Sequence, residues 1–410
     1  MKKPTKTSDN LIFADGDVRQ TLLPLTFTRP VAEIRTGILT ITQKWVKRLN
    51  LPYSFHTQKY LSQKYPLNIS DDNTVIFGGL IPNEILTEKV KSLTLGEGLF
   101  KDDSLLAARV SGGQFERLSG NDVSFLKKKV VDFDFITISR PYHLVSLNKN
   151  QIGEDFELLT IERKSEELSP TVTVVGAYKE PSLKSKIFLE QGAVVEHVMI
   201  NPQKGPVYIG RDAVIMEGSM VRGPAALCEN AQINLGAKVY AGTTLGPYCK
   251  VGGEINNTIM FGYSNKSHDG FLGDSAIGEW CNLGADTNTS NLKNDFAEVK
   301  LWDYTTQSFK KTGLQFLGLI MGDFSRCGIN TMFNSGTVIG VGCNIYGSGY
   351  PRNFIPSFAL GGSQGFRMNN FKEICKVAGI AMKRRNVIFS DIDEAILTEI
   401  FEITKDYRKF

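Results

Sequence analysis

The chain is poor in the residues that build metal centres and disulfide frameworks. It has four histidines and six cysteines in 410 residues. Every cysteine lies singly after residue 227, with no Cys-x-x-Cys pair and no metal-like spacing to histidine. That distribution speaks against a zinc ribbon or a disulfide scaffold and leaves reduced structural thiols. No apolar run approaches the roughly 18 residues of a membrane span, and the opening MKKPTKTSDN is followed by no apolar signal core. The expected setting is the cytoplasm, with no membrane partner. Charge of one sign is scarce too. The formal net charge is +4, with short basic clusters only at residues 127–129 and 383–385, so no nucleic-acid partner is expected.

Glycine, by contrast, is plentiful, at 39 residues, and much of it follows an aliphatic residue at regular intervals. Ile209, Ile215, Val221, Leu227, Ile233, Val239, Leu245 and Val251 succeed one another six positions apart. A second register holds Ile277 and Leu283, and a third runs Met321, Cys327, Phe333, Ile339, Ile345. A period of six suits a triangular parallel β-helix in which each short side takes six residues and sends one aliphatic inward to stack on its equivalents. This pattern resembles the hexapeptide-repeat family. That resemblance implies a left-handed β-helix, homotrimeric assembly and acyl transfer from coenzyme A.

Around the solenoid the pattern changes. Residues 1–165 alternate short strands, at 11–15 and 74–78, with helices, at 38–49 and from Pro82 onward, and read as an α/β domain. The β-helix is expected over 166–365, with a hairpin leaving it at about 286–314 and able to reach a neighbouring subunit. Residues 366–410 read as two amphipathic helices covering the open end of the solenoid.

The stretch SNKSHDGFLGDSAIGEWCNLGADTNTSN, residues 264–291, sets His268 among glycines and asparagines. Alone, His268 reads as a turn histidine bonded to backbone. The string His268-Asp269-Gly270-Phe271-Leu272-Gly273-Asp274, with Asn282-Leu283-Gly284-Ala285 and Asn291 after it, resembles the acetyltransferase half of the bifunctional N-acetylglucosamine-1-phosphate uridylyltransferase/glucosamine-1-phosphate N-acetyltransferase family. The resemblance covers roughly residues 205–350. It implies His268 as general base, Glu254 as the carboxylate that orients it, and the backbone N–H of Ala285 as donor to the thioester oxygen. Asn282 and Asn291 would contact the amino-sugar phosphate. Phe271 stands where the family has a tyrosine, and Asn256 and Asn257 stand where a lysine is expected. Phosphate-binding charge is then sought at Arg222, Lys238, Lys250, Lys266 or Lys293, and Arg384 or Arg385 is set against the 3′-phosphate of acetyl-CoA. The chemistry is consistent, because imidazole is the side chain that takes a proton from an attacking amine near neutral pH without special tuning.

LLPLTFTRPVAEIRTGILTI, residues 22–41, resembles the sugar-1-phosphate nucleotidylyltransferase signature through Pro24-Leu25-Thr26 and Arg29-Pro30. Arg19 would be the loop arginine, with Arg29 and Arg35 as phosphate clamps. The glycine loop is reduced to Asp15-Gly16-Asp17, Val31 replaces a lysine, and Gly78-Gly79-Leu80 stands where the family has its Gly-Asp metal ligand. Nucleotidyl transfer would need Mg²⁺. Three readings follow: a bifunctional enzyme that acetylates a hexosamine 1-phosphate and transfers a nucleotide to a sugar 1-phosphate; a uridylyl- or thymidylyltransferase whose β-helix is structural; and a non-catalytic nucleotide-sugar-binding protein.

Overall fold

The computed structural model describes residues 8–410; the first seven, part of the opening read for a signal core, lie outside them. The chain forms two compact units. One holds residues up to Leu22, Thr28–Ile34 and Leu39–Arg140, and the other holds Leu23–Phe27, Arg35–Ile38 and Pro141–Phe410.

In the first unit, strands β1 (Asn10–Ala14), β2 (Tyr53–His56), β3 (Asn73–Phe77), β4 (Glu97–Lys101), β5 (Ser104–Val110) and β6 (Lys127–Val130) form one sheet in the order β2-β1-β3-β5-β4-β6. β2, β1 and β3 are parallel, with Ile12 opposite both Ser54 and Val75, while β5 runs antiparallel to β3 and β4. Ile12, Val75, Phe100, Ala108, Val110 and Phe115 make the core on one side. The helices begin where a side chain satisfies the free N–H groups of a first turn. Thr40 and Gln43 form a capping box before α1 (Ile41–Leu49). Asn83 accepts from the Leu86 N–H before α2 (Glu84–Lys91), so this helix opens after Asn83 and not at Pro82.

The second unit is a three-sided parallel β-helix. Wall one has eight strands from Thr173–Val174 to Met332–Phe333, wall two nine from Ile187–Leu189 to Phe354–Ile355, and wall three ten from Val194–Val195 to Gly365–Met368. The eight aliphatics of the six-residue series fall on the three walls in rotation, pair in register with their equivalents a coil away, and are all 2 % exposed or less. The later registers, Ile277 and Leu283 and then Met321 to Ile345, continue the same core. What separates the first register from the second is a shortened coil, while the third is set off by the excursion between Thr289 and Ile320. Val251 and the next inward residue, Ile255, are four positions apart in place of six, and Ile255 to Met260 and Leu272 to Ile277 are five.

Three expectations change here. The helix α3 (Pro141–Thr160) belongs to the β-helix unit, because its buried Asn148 donates to Gly242 O and Thr244 Oγ1 of one coil. The hairpin Lys300–Asp303 with Ser308–Lys311 folds back on its own solenoid, where Trp302 stacks on Phe354 at 4.1 Å and Val299, Leu301 and Tyr304 are buried. The terminal helices α4 (Phe371–Lys383) and α5 (Asp391–Ile403) do not simply close the end. The last coil of wall three is sealed by the antiparallel strand Gly365–Met368. From there α4 lies along the outside of that wall, with Ile374, Ala378 and Met382 buried and Val377 O accepting from Arg326.

Because the inner columns are fully buried and close-packed, truncating one of them opens a cavity that the stacked coils above and below cannot collapse into. Ile233→Ala is expected to cost about 2–5 kcal/mol, read as a lower urea midpoint with an unchanged slope.

Candidate functional site

Wall three carries the site. The residue before each inward position there points out, which gives an outer column Gln232, Lys250, Asn265, Asn282, Arg326, Asn344. Helix α4 and the chain after it lie against this column and leave a cleft of about 650 Å³. Its lining brings together His268, Asn282, Ala285, Lys250, Arg384 and Arg385 from the sequence-predicted set. It also includes Arg326 and Asn265, which sequence reasoning missed although they occupy the same outward position as Lys250 and Asn282. Tyr263 and Trp280 form one side of the cleft, stacked at 4.1 Å and 12°, each at a corner with positive φ.

The electrostatics of the cleft are one-sided. None of Lys250, Arg326, Arg384 and Arg385 has a carboxylate partner among the described residues; Arg385 donates to Asn265 Oδ1 and Arg326 to Val377 O. Burial, and then the positive charges of Arg385 and Arg384, hold Lys250 below the usual ammonium range, and burial lowers Arg326. Four cations with no carboxylate partner among the described residues make the cleft positive and favourable to an anion. His268 sits exposed at the corner between walls three and one, its imidazole in no hydrogen bond or ion pair within the described residues. The Ala285 N–H donates to no protein acceptor among the described residues, while its carbonyl takes the Asn330 N–H.

Other predicted residues lie elsewhere. Glu254 begins a strand of wall one, its N–H on Gly270 O and its side chain facing outward in the column of Lys238 and Phe271. No hydrogen bond or ion pair joins it to His268 among the described residues, and it does not line the cleft. Arg222 is exposed on the same wall. Asn291 donates to Asp274 Oδ2 at 2.6 Å and stands beside Gly273, whose neighbour in turn is the Phe271 ring. Thus Glu254, Phe271, Asn291 and Arg222 belong to wall one, a different side of the prism from the cleft. Lys293 makes a surface ion pair with Asp295. Lys266 is not a surface phosphate ligand at all: it occupies an inward position between Val251 and Leu283, fully buried. Its Nζ donates to the carbonyls of His268 at 2.5 Å and Asp269 at 2.6 Å.

In the first unit a cleft of about 660 Å³ lies past the carboxyl ends of β1 and β3, the usual ligand crevice of such sheets. Its charged lining is Asp15, Asp17, Asp102 and Asp103 against Lys101. The arginines expected there are not in it. Arg19 is buried, at 3.4 Å from Asp15 and on the Tyr60 hydroxyl at 2.6 Å, and Arg29 is buried also. Arg35 belongs to the β-helix unit, where it donates to Phe261 O and Ile38 O. Gly79 stands where the family's metal aspartate is expected because a Cβ there would lie 2.3 Å from Ile138 O. Among the described residues no three acidic, histidine or cysteine side chains cluster closely enough to hold a metal, and no helix is long and apolar enough to cross a membrane.

Residues 11–164 match the family model described as sugar nucleotidyl transferase. Over 157 residues the chain is 32% identical to a bifunctional sugar-1-phosphate nucleotidylyltransferase/acetyltransferase of Sulfurisphaera tokodaii, covering 38% of each. Over 90 residues it is 36% identical to the bifunctional protein GlmU of Methanocaldococcus jannaschii, covering 22% of this chain and 21% of that one. The chain is a divergent relative of these bifunctional proteins. It is also 28% identical over 148 residues to the putative acetyltransferase YaiX of Escherichia coli, covering 36% of this chain and 64% of that one. The matches thus span between about a fifth and two thirds of these relatives.

Burial pulls the Lys266 ammonium down to about 8, against the opposing pull of Asp269, Cys327 and Asp286. A lysine depressed on folding stays charged in both states below that value, where its burial penalty is complete, and sheds the penalty as pH rises toward its unfolded value of 10.5. From pH 8 to pH 10.5 the wild type should gain up to about 3 kcal/mol of stability relative to Lys266→Met. Parallel denaturation curves for the two proteins over that range would refute the shift.

Proposed function

We propose that the chain is a bifunctional transferase of amino-sugar nucleotide synthesis, whose β-helix acetylates a hexosamine 1-phosphate from acetyl-CoA in the cleft beside His268. One observation carries this reading: a single cleft holds an imidazole, a backbone N–H and four cations, and among the described residues the imidazole has no hydrogen-bond or carboxylate partner, the N–H no acceptor and the cations no counterion. The cations suit the phosphates of coenzyme and sugar. The substrate enters as the free amine, its ammonium proton left to solvent. As the C–N bond forms at the thioester carbon, His268 takes a proton from the attacking nitrogen, and the Ala285 N–H is placed to bond the oxyanion. When the C–S bond breaks, His268 returns that proton to the departing sulfur. The products are an amide and free coenzyme thiol.

Among the described residues no hydrogen bond or ion pair puts a carboxylate behind the imidazole, and the expected orienting carboxylate, Glu254, and the expected substrate residues, Asn291 and Phe271, stand on wall one. A homotrimer, in which wall one of one protomer faces the cleft of the next, unites the two half-sites. The exposed Ile329 and Ile380 at the cleft rim support burial against a partner copy.

The amino-terminal cleft is assigned the nucleotide. Its excess of carboxylates gives it the wrong sign for a bare triphosphate, so the nucleotide would enter as its Mg²⁺ complex, the ion neutralising phosphate charge with Asp15, Asp17, Asp102 or Asp103 nearby. Pyrophosphate release from UTP or dTTP with a sugar 1-phosphate, without any coenzyme A chemistry, would instead favour a nucleotidyltransferase with a structural β-helix. Tight ligand binding with no turnover in either assay would favour a nucleotide-sugar-binding protein.

Release of coenzyme thiol from acetyl-CoA with glucosamine 1-phosphate should fall about 10²- to 10⁴-fold in His268→Ala; equal rates would remove His268 from the chemistry. Co-expressing His268→Ala with Asn291→Ala, each inactive alone, should restore about a quarter of wild-type activity, the share of sites in a mixed trimer that receive one intact half from each protomer. No recovery would place both residues in one protomer's site.

A further inference from the structure

A lysine inside the aliphatic column of a β-helix needs a reason, because a buried ammonium is costly unless it is well paired. The neighbouring coils show that the fold does not require one. At the corner from wall three to wall one, the position two residues before the inward residue of wall one is Ala237, Thr287 or Thr331 in other coils, each buried and closing the corner with a small side chain. In the His268 coil that position is Gly270, at φ +109°, where a Cβ would lie 2.3 Å from Thr287 O. The corner has no side chain of its own, and the Lys266 ammonium fills it from inside.

The coil beneath is cut to match. Its corner is the glycine pair Gly252-Gly253, two residues shorter than usual. A Cβ on Gly252 would sit 2.4 Å from Ser267 O, and one on Gly253 2.7 Å from Gly270 O. The His268 corner therefore rests on bare backbone below and is held from within by Lys266.

We propose that Lys266 is a positioning residue: by clamping the carbonyls of His268 and Asp269 from the prism interior, it fixes the corner that presents the imidazole to the cleft. This rests on the acetyl-transfer reading for its catalytic consequence and on geometry alone for its structural one. The charged and titratable groups around the ammonium are Asp269 and Asp286 on the corners, the Cys327 thiol two inward positions on, beyond Leu283, and His268 itself. Of these the two carbonyls make the direct bonds. A neutral amine keeps two N–H groups for the two carbonyls but loses the charge that strengthens both bonds, so the clamp is expected to loosen as pH rises past about 8.

The test compares wild type with Lys266→Met, which keeps the unbranched apolar stem and loses the donors, by amide hydrogen exchange over residues 267–271 and by steady-state acetyl transfer from pH 6.5 to 9.5. Expected are at least tenfold faster exchange at the corner with the other coils unchanged, and at least a tenfold lower kcat with KM for acetyl-CoA within about threefold. The wild-type fall in kcat above pH 8 should vanish in the variant. Unchanged exchange and an unchanged kcat and pH profile would overturn the proposal. If the wild type itself transfers no acetyl group, the functional reading fails while the exchange comparison still decides the clamp. Should Lys266→Met not fold, Lys266→Gln, with an amide donor but a shorter reach, takes its place; exchange and kcat intermediate between wild type and His268→Ala support the clamp, and wild-type values overturn it.

Discussion

The second unit depends on one constraint: in a three-sided parallel ladder, each inward side chain must stack on its equivalent a coil away, whatever happens at the corners between. Backbone hydrogen bonding fixes the walls, so length changes are absorbed only where the chain turns. The shortened corner at Gly252-Gly253 and the excursion between Thr289 and Ile320 both obey this, because the columns resume in register after each. The cleft follows from the same rule. Outward residues of successive coils are held one above another, so Lys250, Asn265, Asn282 and Arg326, far apart in sequence, become a single polar strip.

That rule also explains what could be read from the residues alone. The strict six-residue series named the inward columns, and its buried members are the core. His268 and Ala285 could be placed near a turn of the solenoid, and they do meet in one cleft. What was illegible lay just past Val251, where the period fails. With the phase lost, Lys266 looks like any polar residue in a glycine-rich loop, and the match of Arg326 to Lys250 and Asn282 disappears. Glu254 carries the same lesson, since fourteen positions from His268 says nothing about which wall a residue faces once a corner has lost two residues. The arginines of the first unit fail for a different reason. A signature such as Arg29-Pro30 fixes chain identity, but whether a guanidinium faces a crevice or a buried partner, as Arg19 faces Asp15 and Tyr60, is decided by tertiary packing.

The two clefts have opposite electrical character. The solenoid concentrates positive charge outside wall three, while the crevice of the α/β unit is lined mostly by carboxylates. Anionic small molecules are therefore drawn directly to the first and require neutralisation before the second. An ammonium inside the prism adds to the positive side without being reachable from solvent, which is why its effect passes through backbone carbonyls and not through a ligand.

The antiparallel strand that finishes wall three also decides how copies of this chain can meet. A β-solenoid whose final rung leaves strand edges bare can recruit another molecule end to end and polymerise. Here the last parallel rung of that wall is already bonded to a segment running the opposite way, whose register cannot template a further parallel coil. Growth along the axis is therefore blocked on that wall at that end.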